Sequence, residues 1–243
     1  MAGTCAEILA EGVRRLALDP DEVAIARLCR YYDELRKWSR RINLVAAAPR
    51  RELLETHFLD SLTLWPLLAN LADLDNVEPG DPLTLLDVGS GAGFPGLALK
   101  CWRPRALAVT LMEPRLKRVS FLRHVIRTLE LKDGMRVLAR RLEPGAEADP
   151  ELAGGFEVIT SRAFTTIAPF LELCAPLSPP GGLVVCMKGP RAEAELADWQ
   201  ARQPHSPYCL DETADFILPF SGARRHLLVF RRRRTGGVPP KSR

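Results

Sequence analysis

The chain has 243 residues, 47% hydrophobic and 26% charged, which suits one well-buried domain with a small appendage and would leave two full domains cramped. Its net charge of +4 permits a nucleic-acid partner without demanding one. Aromatic residues make up only 7%, too few for a surface built mainly of stacking rings. No apolar run is long enough to span a bilayer and the N-terminus lacks a signal-peptide apolar core, so no membrane association and a cytoplasmic location are expected.

In chain order, the first part up to about residue 75 reads as helical. Val23, Ile25, Leu28, Tyr31, Tyr32, Leu35 and Trp38 recur at roughly helical spacing, and Asp19 and Asp21 around Pro20 suit a helix start. A second helical stretch passes through Leu53, Leu54, Phe58, Leu62 and Leu64 until Trp65-Pro66 interrupts it. Residues 76–82 are expected to be a turn-rich linker. The pattern then changes to short apolar runs alternating with helical stretches. Strands are expected at Leu83–Val88, Leu107–Met112, Met135–Leu138, Phe156–Ser161 and Leu183–Met187. Helices are expected at Arg115–Leu131, Thr165–Leu177 and Arg191–Trp199. Phe216–Leu218 and His226–Phe230 close the sheet as an antiparallel pair. This alternation predicts an α/β fold, a mostly parallel sheet with helices on both faces. The expected division is an N-terminal helical extension over 1–75, an α/β domain over 76–234 and a flexible basic tail over 235–243.

Six cysteines, Cys5, Cys29, Cys101, Cys174, Cys186 and Cys209, include no CxxC pair and no neighbouring histidine cluster. Neither a metal site nor a redox pair is expected; dispersed thiols are what a reducing cytosol tolerates. Basic runs occur at Arg36, Lys37, Arg40 and Arg41, continuing to Arg50 and Arg51, and from Gly222 to Arg243, where no acidic residue intervenes. Such runs usually form solvated faces or tails.

The most informative string is Leu85-Leu86-Asp87-Val88-Gly89-Ser90-Gly91-Ala92-Gly93-Phe94-Pro95-Gly96. A buried strand feeds a glycine-rich turn that opens a helix, so backbone can approach a ligand closely. Gly91, Gly93 and Gly96 satisfy the GxGxxG dinucleotide fingerprint, and Glu113 lies where a carboxylate takes ribose hydroxyls. Asp87 before a GxGxG spacing is also similar to the first motif of class I S-adenosylmethionine (SAM) methyltransferases. Glu113 serves both readings. The absence of a second mononucleotide-binding half favours SAM over a nicotinamide cofactor.

Several ordered segments then resemble one family: Asn43-Leu44, His57-Phe58-Leu59-Asp60-Ser61-Leu62, Asp87 to Gly96, Lys117-Arg118 with Phe121-Leu122, Arg141-Leu142-Glu143, Ser161-Arg162-Ala163-Phe164 and Met187-Lys188-Gly189. Together they resemble the bacterial glucose-inhibited division protein B family, the ribosomal RNA small-subunit methyltransferase G family. The resemblance runs from about Tyr32 to about Phe230. It implies a Rossmann-like, seven-stranded class I methyltransferase sheet and methylation of N7 of a guanosine at position 527 of 16S rRNA, as free rRNA or in the small subunit; a monomer is expected, though nothing in the sequence fixes the oligomeric state. It also implies cofactor contacts at Gly89, Gly91, Gly93 and Phe94 in the first loop, at Glu113 for the ribose and at Leu142 and Glu143 around the adenine. Arg162 would lie near the methionine end or the target base and position it. Lys117, Arg118, Lys188 and His57 would face RNA. Two positions depart from the family pattern: Thr56 stands where a basic residue is frequent, and Pro114 where a small polar one is common.

The residues can be weighed against the chemistry without the family. Exocyclic amine methylation usually accompanies an Asn/Asp-Pro-Pro-aromatic string after the fourth strand, where this chain has Ser161-Arg162-Ala163-Phe164. Pyrimidine C5 methylation needs a nucleophilic cysteine, and Cys174 and Cys186 fall in element interiors, where core packing is expected. Guanine N7 has an available lone pair, so positioning suffices, worth about 7–11 kcal/mol in good intramolecular models. Arg162 suits guanine O6 or a phosphate, since a donor on N7 itself would block attack. His57 is weighed as a packing residue before a catalyst, and Asp60 and Ser61 as ties between the N-terminal helices and the core. Trp38, Trp65 and Trp199 are expected as core anchors, and Phe94 and Phe164 near the cofactor and base. The alternatives are another methyl acceptor, or a non-catalytic RNA-binding protein that retains SAM.

Overall fold

The computed structural model describes residues 3–72, 81–146, 149–162, 166–202 and 205–234. The expected domain boundary at 75–76, the tail from 235 and Phe164 lie outside the described residues.

Local sequence explains where the first helices begin. Thr4 caps α1 (Cys5–Arg15): its hydroxyl accepts from the Glu7 N–H at 3.2 Å, and the Glu7 carboxylate accepts from the Thr4 N–H at 2.7 Å, a reciprocal capping box. Asp21 caps α2 (Glu22–Ser39) by accepting from the N–H groups of Val23 and Ala24 at 2.9 and 3.1 Å. The buried stripe of α2, Ala24, Ile25, Leu28, Tyr31, Tyr32 and Leu35, follows the expected periodicity. The second helical stretch is not one helix. It runs as α3 (Arg50–Leu53), a π-helical segment (Leu54–Leu59) and α4 (Asp60–Leu62). The chain turns at Thr63-Leu64 and restarts as α5 (Trp65–Ala72), with Pro66 in the first turn, where its missing N–H leaves no bond unmade.

The sheet contains β1 (Leu83–Val88), β2 (Leu107–Met112), β3 (Met135–Leu138), β4 (Val158–Ser161), β5 (Leu183–Lys188), β6 (Tyr208–Ile217) and β7 (Arg224–Arg232), in the seven-stranded order β3-β2-β1-β4-β5-β7-β6. The first five strands are parallel, and β7 runs antiparallel between β5 and β6. Between strands lie α6 (Gly96–Trp102), α7 (Leu116–Thr128), α8 (Ile167–Cys174) and α9 (Ala192–Arg202). This is the α/β organisation with an N-terminal helical extension that the sequence predicts.

Successive strand residues feed two cores, one on each face of the sheet. Leu85, Leu111, Val185, Leu227 and Val229 pack with α1, α2 and the π-helical segment, while Leu86, Met112, Val184, Leu228 and Phe230 pack with α8 and α9. Buried on both faces, the parallel strands read as nearly continuous apolar runs. The N-terminal helices share the first of these cores, with Phe58, Leu59 and Tyr31 wholly buried in it.

Several local expectations are corrected. β6 spans ten residues rather than three, because its outward positions at the sheet edge are polar and masked its alternation. β4 starts at Val158, and the buried Phe156 precedes it. Arg231 and Arg232 belong to β7 rather than to a solvated tail: Arg231 pairs with Asp211 at 2.6 Å, and Arg232 donates to the carbonyls of Ala175 and Ser178. Cys5 and Cys29 are not dispersed thiols but a disulfide joining α1 to α2, with Cα atoms 5.8 Å apart. Only the docking of these two helices against each other brings them together. Trp199 is buried as expected, Trp38 and Trp65 are half-buried, and the fully buried tryptophan is Trp102.

Candidate active site

The carboxyl ends of parallel strands carry the site, as open α/β sheets dictate. After β1 the chain turns through Gly89, Gly91 and Gly93, all at positive φ (73°, 60° and 97°). A Cβ at Gly89 would meet nothing within 4 Å, so the loop is open there. A Cβ at Gly93 would lie 2.6 Å from the Tyr31 hydroxyl, so this glycine is required by the close approach of α2.

Two buried carboxylates back the loop. Glu113, at the end of β2, accepts from the N–H groups of Gly91 and Arg115, both at 2.9 Å, and lies 3.7 Å from the Arg118 guanidinium. Asp87 is fully buried and accepts from the Gly96 N–H at 2.9 Å, at the start of α6. Burial pushes its carboxyl up to about 7, with the Gly96 N–H and the Arg162 charge pulling the other way. Its second oxygen has no partner among the described residues, and neither does the buried Ser161 hydroxyl at the end of β4. The position of Asp87 separates the two cofactor readings. A dinucleotide fold leaves the helix start free for a pyrophosphate; here a protein carboxylate already takes that N–H.

Phe94 is buried, and its ring stacks on Tyr31 (centroids 5.4 Å apart) and on His57 (5.1 Å), with Phe58 edge-on at 5.0 Å. Tyr31 donates its hydroxyl hydrogen to the Ala92 carbonyl, and burial raises its phenol well above the ordinary value. The glycine loop is therefore clamped by the N-terminal helices.

Beyond Phe94, Arg162 bridges distant segments. Its guanidinium donates to the Thr56 carbonyl and His57 Nδ1, both at 2.9 Å, reaches Asp60 at 3.4 Å and lies over Phe94 at 5.3 Å. Arg225 donates to the other Asp60 oxygen at 2.9 Å. Burial raises the Asp60 carboxyl and the two arginines oppose it, while burial and Arg162 lower His57 to about 4. His57 is consequently neutral near neutral pH and accepts from Arg162, which matches its reading as a packing residue. The π-helical turn directs Thr56 and His57 toward Arg162, Asp60 follows at the start of α4, and the same turn buries Glu55, which accepts from the N–H groups of Phe220 and Ser221 at 2.6 and 2.9 Å.

Arg162 also borders an open cleft of about 810 Å³ between α8 and α9, floored by Ile167, Met187 and Trp199, with Lys188 at its edge. Lys188 pairs with Glu195 at 2.8 Å. This cleft lies on the β4–β5 side of Arg162, and the glycine loop on the β1–β2 side. Leu142 is buried beneath Met112 and Leu138 in the second core, and Glu143 beside it is exposed. Lys117 is exposed, and with Arg41, Arg115 and Arg118 it lines a second hollow of about 640 Å³. Arg118 leans toward Glu113, nearer the loop than its helix position suggested. Cys174 and Cys186 are buried thiols pushed above their ordinary value, Cys186 to about 12, so neither supplies a thiolate nucleophile. Among the described residues no three His, Cys, Asp or Glu side chains converge as a metal site.

Tyr31, Glu55, Arg225 and Glu195 were not singled out from sequence. Arg225 sat inside a basic run, and its partner Asp60 is 165 residues away; no spacing could reveal that pair.

Similarities to known proteins agree with this geometry. A solved methyltransferase from Pyrococcus furiosus shares the fold, at 17% identity and a TM-score of 0.53, over 86% of this chain and 98% of that one. The ribosomal RNA small subunit methyltransferase G of Desulfotalea psychrophila is 40% identical over 226 residues, 92% of this chain and 96% of its own. That of Myxococcus xanthus is also 40% identical, over 225 residues, 91% of this chain and 94% of its own. The GidB family profile, described as rRNA small subunit methyltransferase G, matches residues 24–227. With most of its length matched in this way, and with the expected sheet and loop in place, the chain belongs to the rRNA small subunit methyltransferase G family.

Proposed function

We propose that this protein transfers a methyl group from SAM to N7 of the guanosine at position 527 of 16S rRNA, acting as a cytoplasmic monomer on the rRNA or the small subunit. The observation that carries the reading is the pairing of an open glycine loop, backed by buried Glu113 and Asp87, with an open cleft that shares Arg162 and holds no thiolate nucleophile. Guanine N7 is the acceptor that asks for no deprotonation, so it matches a site built to position rather than to abstract a proton.

SAM, when bound, supplies an electrophilic methyl on a sulfonium. The backbone at Gly89, Gly91, Gly93 and Phe94 would hold its methionine portion, Glu113 its ribose hydroxyls, and Leu142 and Glu143 its adenine. The buried, unpartnered Asp87 oxygen is consistent with a cation above the loop. Arg162, held by Thr56, His57 and Asp60, presents fixed positive charge between loop and cleft. It orients guanine O6 or a backbone phosphate while leaving N7 bare. Lys117, Arg118 and Lys188 face the RNA; His57 acts through Arg162.

The test is incubation of purified protein with tritiated SAM and small-subunit rRNA, naked or as particles, from cells lacking the modification. Label is expected as 7-methylguanosine at one site. Absence of label on both substrates, despite measurable SAM binding, would overturn the reading. Arg162→Ala should lower kcat/KM about 100-fold or more, the scale for losing one preorganised electrostatic contact, whereas full activity would remove Arg162 from the site.

A further inference from the structure

The cleft between α8 and α9 contains one arrangement that the methyl-transfer chemistry does not use. Glu195 lies on the inward stripe of α9, in phase with Ala192, Leu196 and Trp199. Helical periodicity puts an apolar residue at such a position. Its carboxylate instead lines the cleft, 21% exposed, and meets Lys188 at the end of β5, 15% exposed, at 2.8 Å. The other carboxylate in the cleft, Asp198, is 56% exposed and paired with Arg202 at 2.7 Å. An acceptor and a cation thus stand side by side above an apolar floor.

One edge of guanine is complementary to such a pair. Its Watson–Crick edge carries two adjacent donors, N1–H and N2–H₂, beside the O6 acceptor; adenine carries a bare acceptor and a donor in the corresponding places. Bases drawn into enzyme pockets are commonly read along that edge. We infer that Glu195 and Lys188 select guanine as the target base: Glu195 accepts from N1–H and N2–H₂ through the oxygen that is not held against Lys188, Lys188 donates to O6, and N7 stays free on the Hoogsteen edge. Adenine would face the carboxylate with a lone pair and the ammonium with an N–H, and both contacts are repulsive. The ion pair holds both side chains in the cleft before the base arrives, which limits the ordering needed on binding.

This inference rests on the proposed guanine-N7 reaction, and the experiment separates the two. Wild-type protein and the Glu195→Gln and Glu195→Ala variants are given SAM and small-subunit RNA bearing either guanosine or inosine at the target position. Inosine lacks only the 2-amino group. Wild type should prefer guanosine by about tenfold or more in kcat/KM, the scale of a hydrogen bond to a charged group. Glu195→Gln, whose amide can keep its oxygen on N1–H only by turning its NH₂ toward the 2-amino group, should lose about tenfold on guanosine, change little on inosine and bring the ratio toward one. SAM affinity and melting temperature of each preparation show whether the fold is retained, and the near-isosteric Gln keeps the test valid if Ala unfolds. Equal losses on both RNAs with an unchanged ratio would mean that Glu195 only positions Lys188. Equal use of guanosine and inosine by wild type would overturn the inference directly. No 7-methylguanosine from wild type would sink the reaction itself.

Discussion

The glycine loop and the Asp60 cluster lie on neighbouring sides of Phe94 and are built in opposite ways. In the loop, buried carboxylates are held by backbone N–H groups: Glu113 by those of Gly91 and Arg115, and one Asp87 oxygen by that of Gly96. In the cluster, the buried Asp60 carboxylate is satisfied by two side chains that come from after β4 and from β7. A backbone-built site tolerates little change in main-chain geometry. A side-chain-built site depends on each charged partner being present.

Removing one charge should therefore have the largest effect on stability. Asp60→Ala leaves the Arg162 and Arg225 guanidiniums facing each other, and breaking a buried ion pair from one side costs about 3–5 kcal/mol, the lower end applying here because both arginines are partly exposed. Urea denaturation gives the number; a loss under about 1 kcal/mol would show that the cluster is not held by its charges.

In the loop the sensitive change is a methyl group. Gly93→Ala places a Cβ 2.6 Å from the Tyr31 hydroxyl at a φ of 97° and should cost about 2–3 kcal/mol from overpacking and strain together. Gly89→Ala, at φ 73° with open space around the Cβ, should cost about 1 kcal/mol and weaken SAM binding instead. Equal losses in the two variants would contradict the clamping of the loop by α2.

The two regions should also respond to pH with opposite signs. Asp87 rises from 3.8 to about 7 in the folded protein, so its contribution is complete below pH 4 and is lost as pH climbs toward 7. His57 falls from 6.5 to about 4, so its contribution is present above pH 6.5 and is lost as pH drops toward 4. Relative to wild type, the slope of stability against pH across this window should become more negative in His57→Gln and more positive in Asp87→Asn. An unchanged slope in either variant would mean that the group replaced there is not buried as described.

The smallest effect is expected at the exposed Lys117. Lys117→Ala should change stability by less than about 0.5 kcal/mol and reduce the salt dependence of RNA binding by about one ion, seen as a shallower slope of log affinity against log salt. An unchanged slope would take Lys117 off the RNA face.

The same contrast explains how much was legible in the sequence. The loop was readable because strand, glycines, Asp87 and Glu113 follow one another at spacings set by local geometry, and so was most of the strand and helix order. His57 and Asp60 were noticed within one short string, His57 as an RNA-facing or packing residue and Asp60 as a tie; the structure joins both to Arg162. Arg225 could not be assigned, because a basic residue within a basic run carries no mark of a distant partner. Cys5 and Cys29 were unreadable as a pair for the same reason. β6 was shortened to its last residues because an edge strand with polar outward positions resembles a loop.

The sequence by itself determined the α/β order, the glycine turn with its carboxylates and the family, because these depend on periodicities of two and 3.6 residues and on motifs only a few residues long. The tertiary structure alone decided that a π-helical turn and the start of α4 present Thr56, His57 and Asp60 to Arg162, that α2 clamps the loop through Tyr31, and that Glu195 enters the cleft beside Lys188. Those contacts form only when the two cores close, and burial then sets the charge states of Asp87 and His57, which no residue type carries on its own.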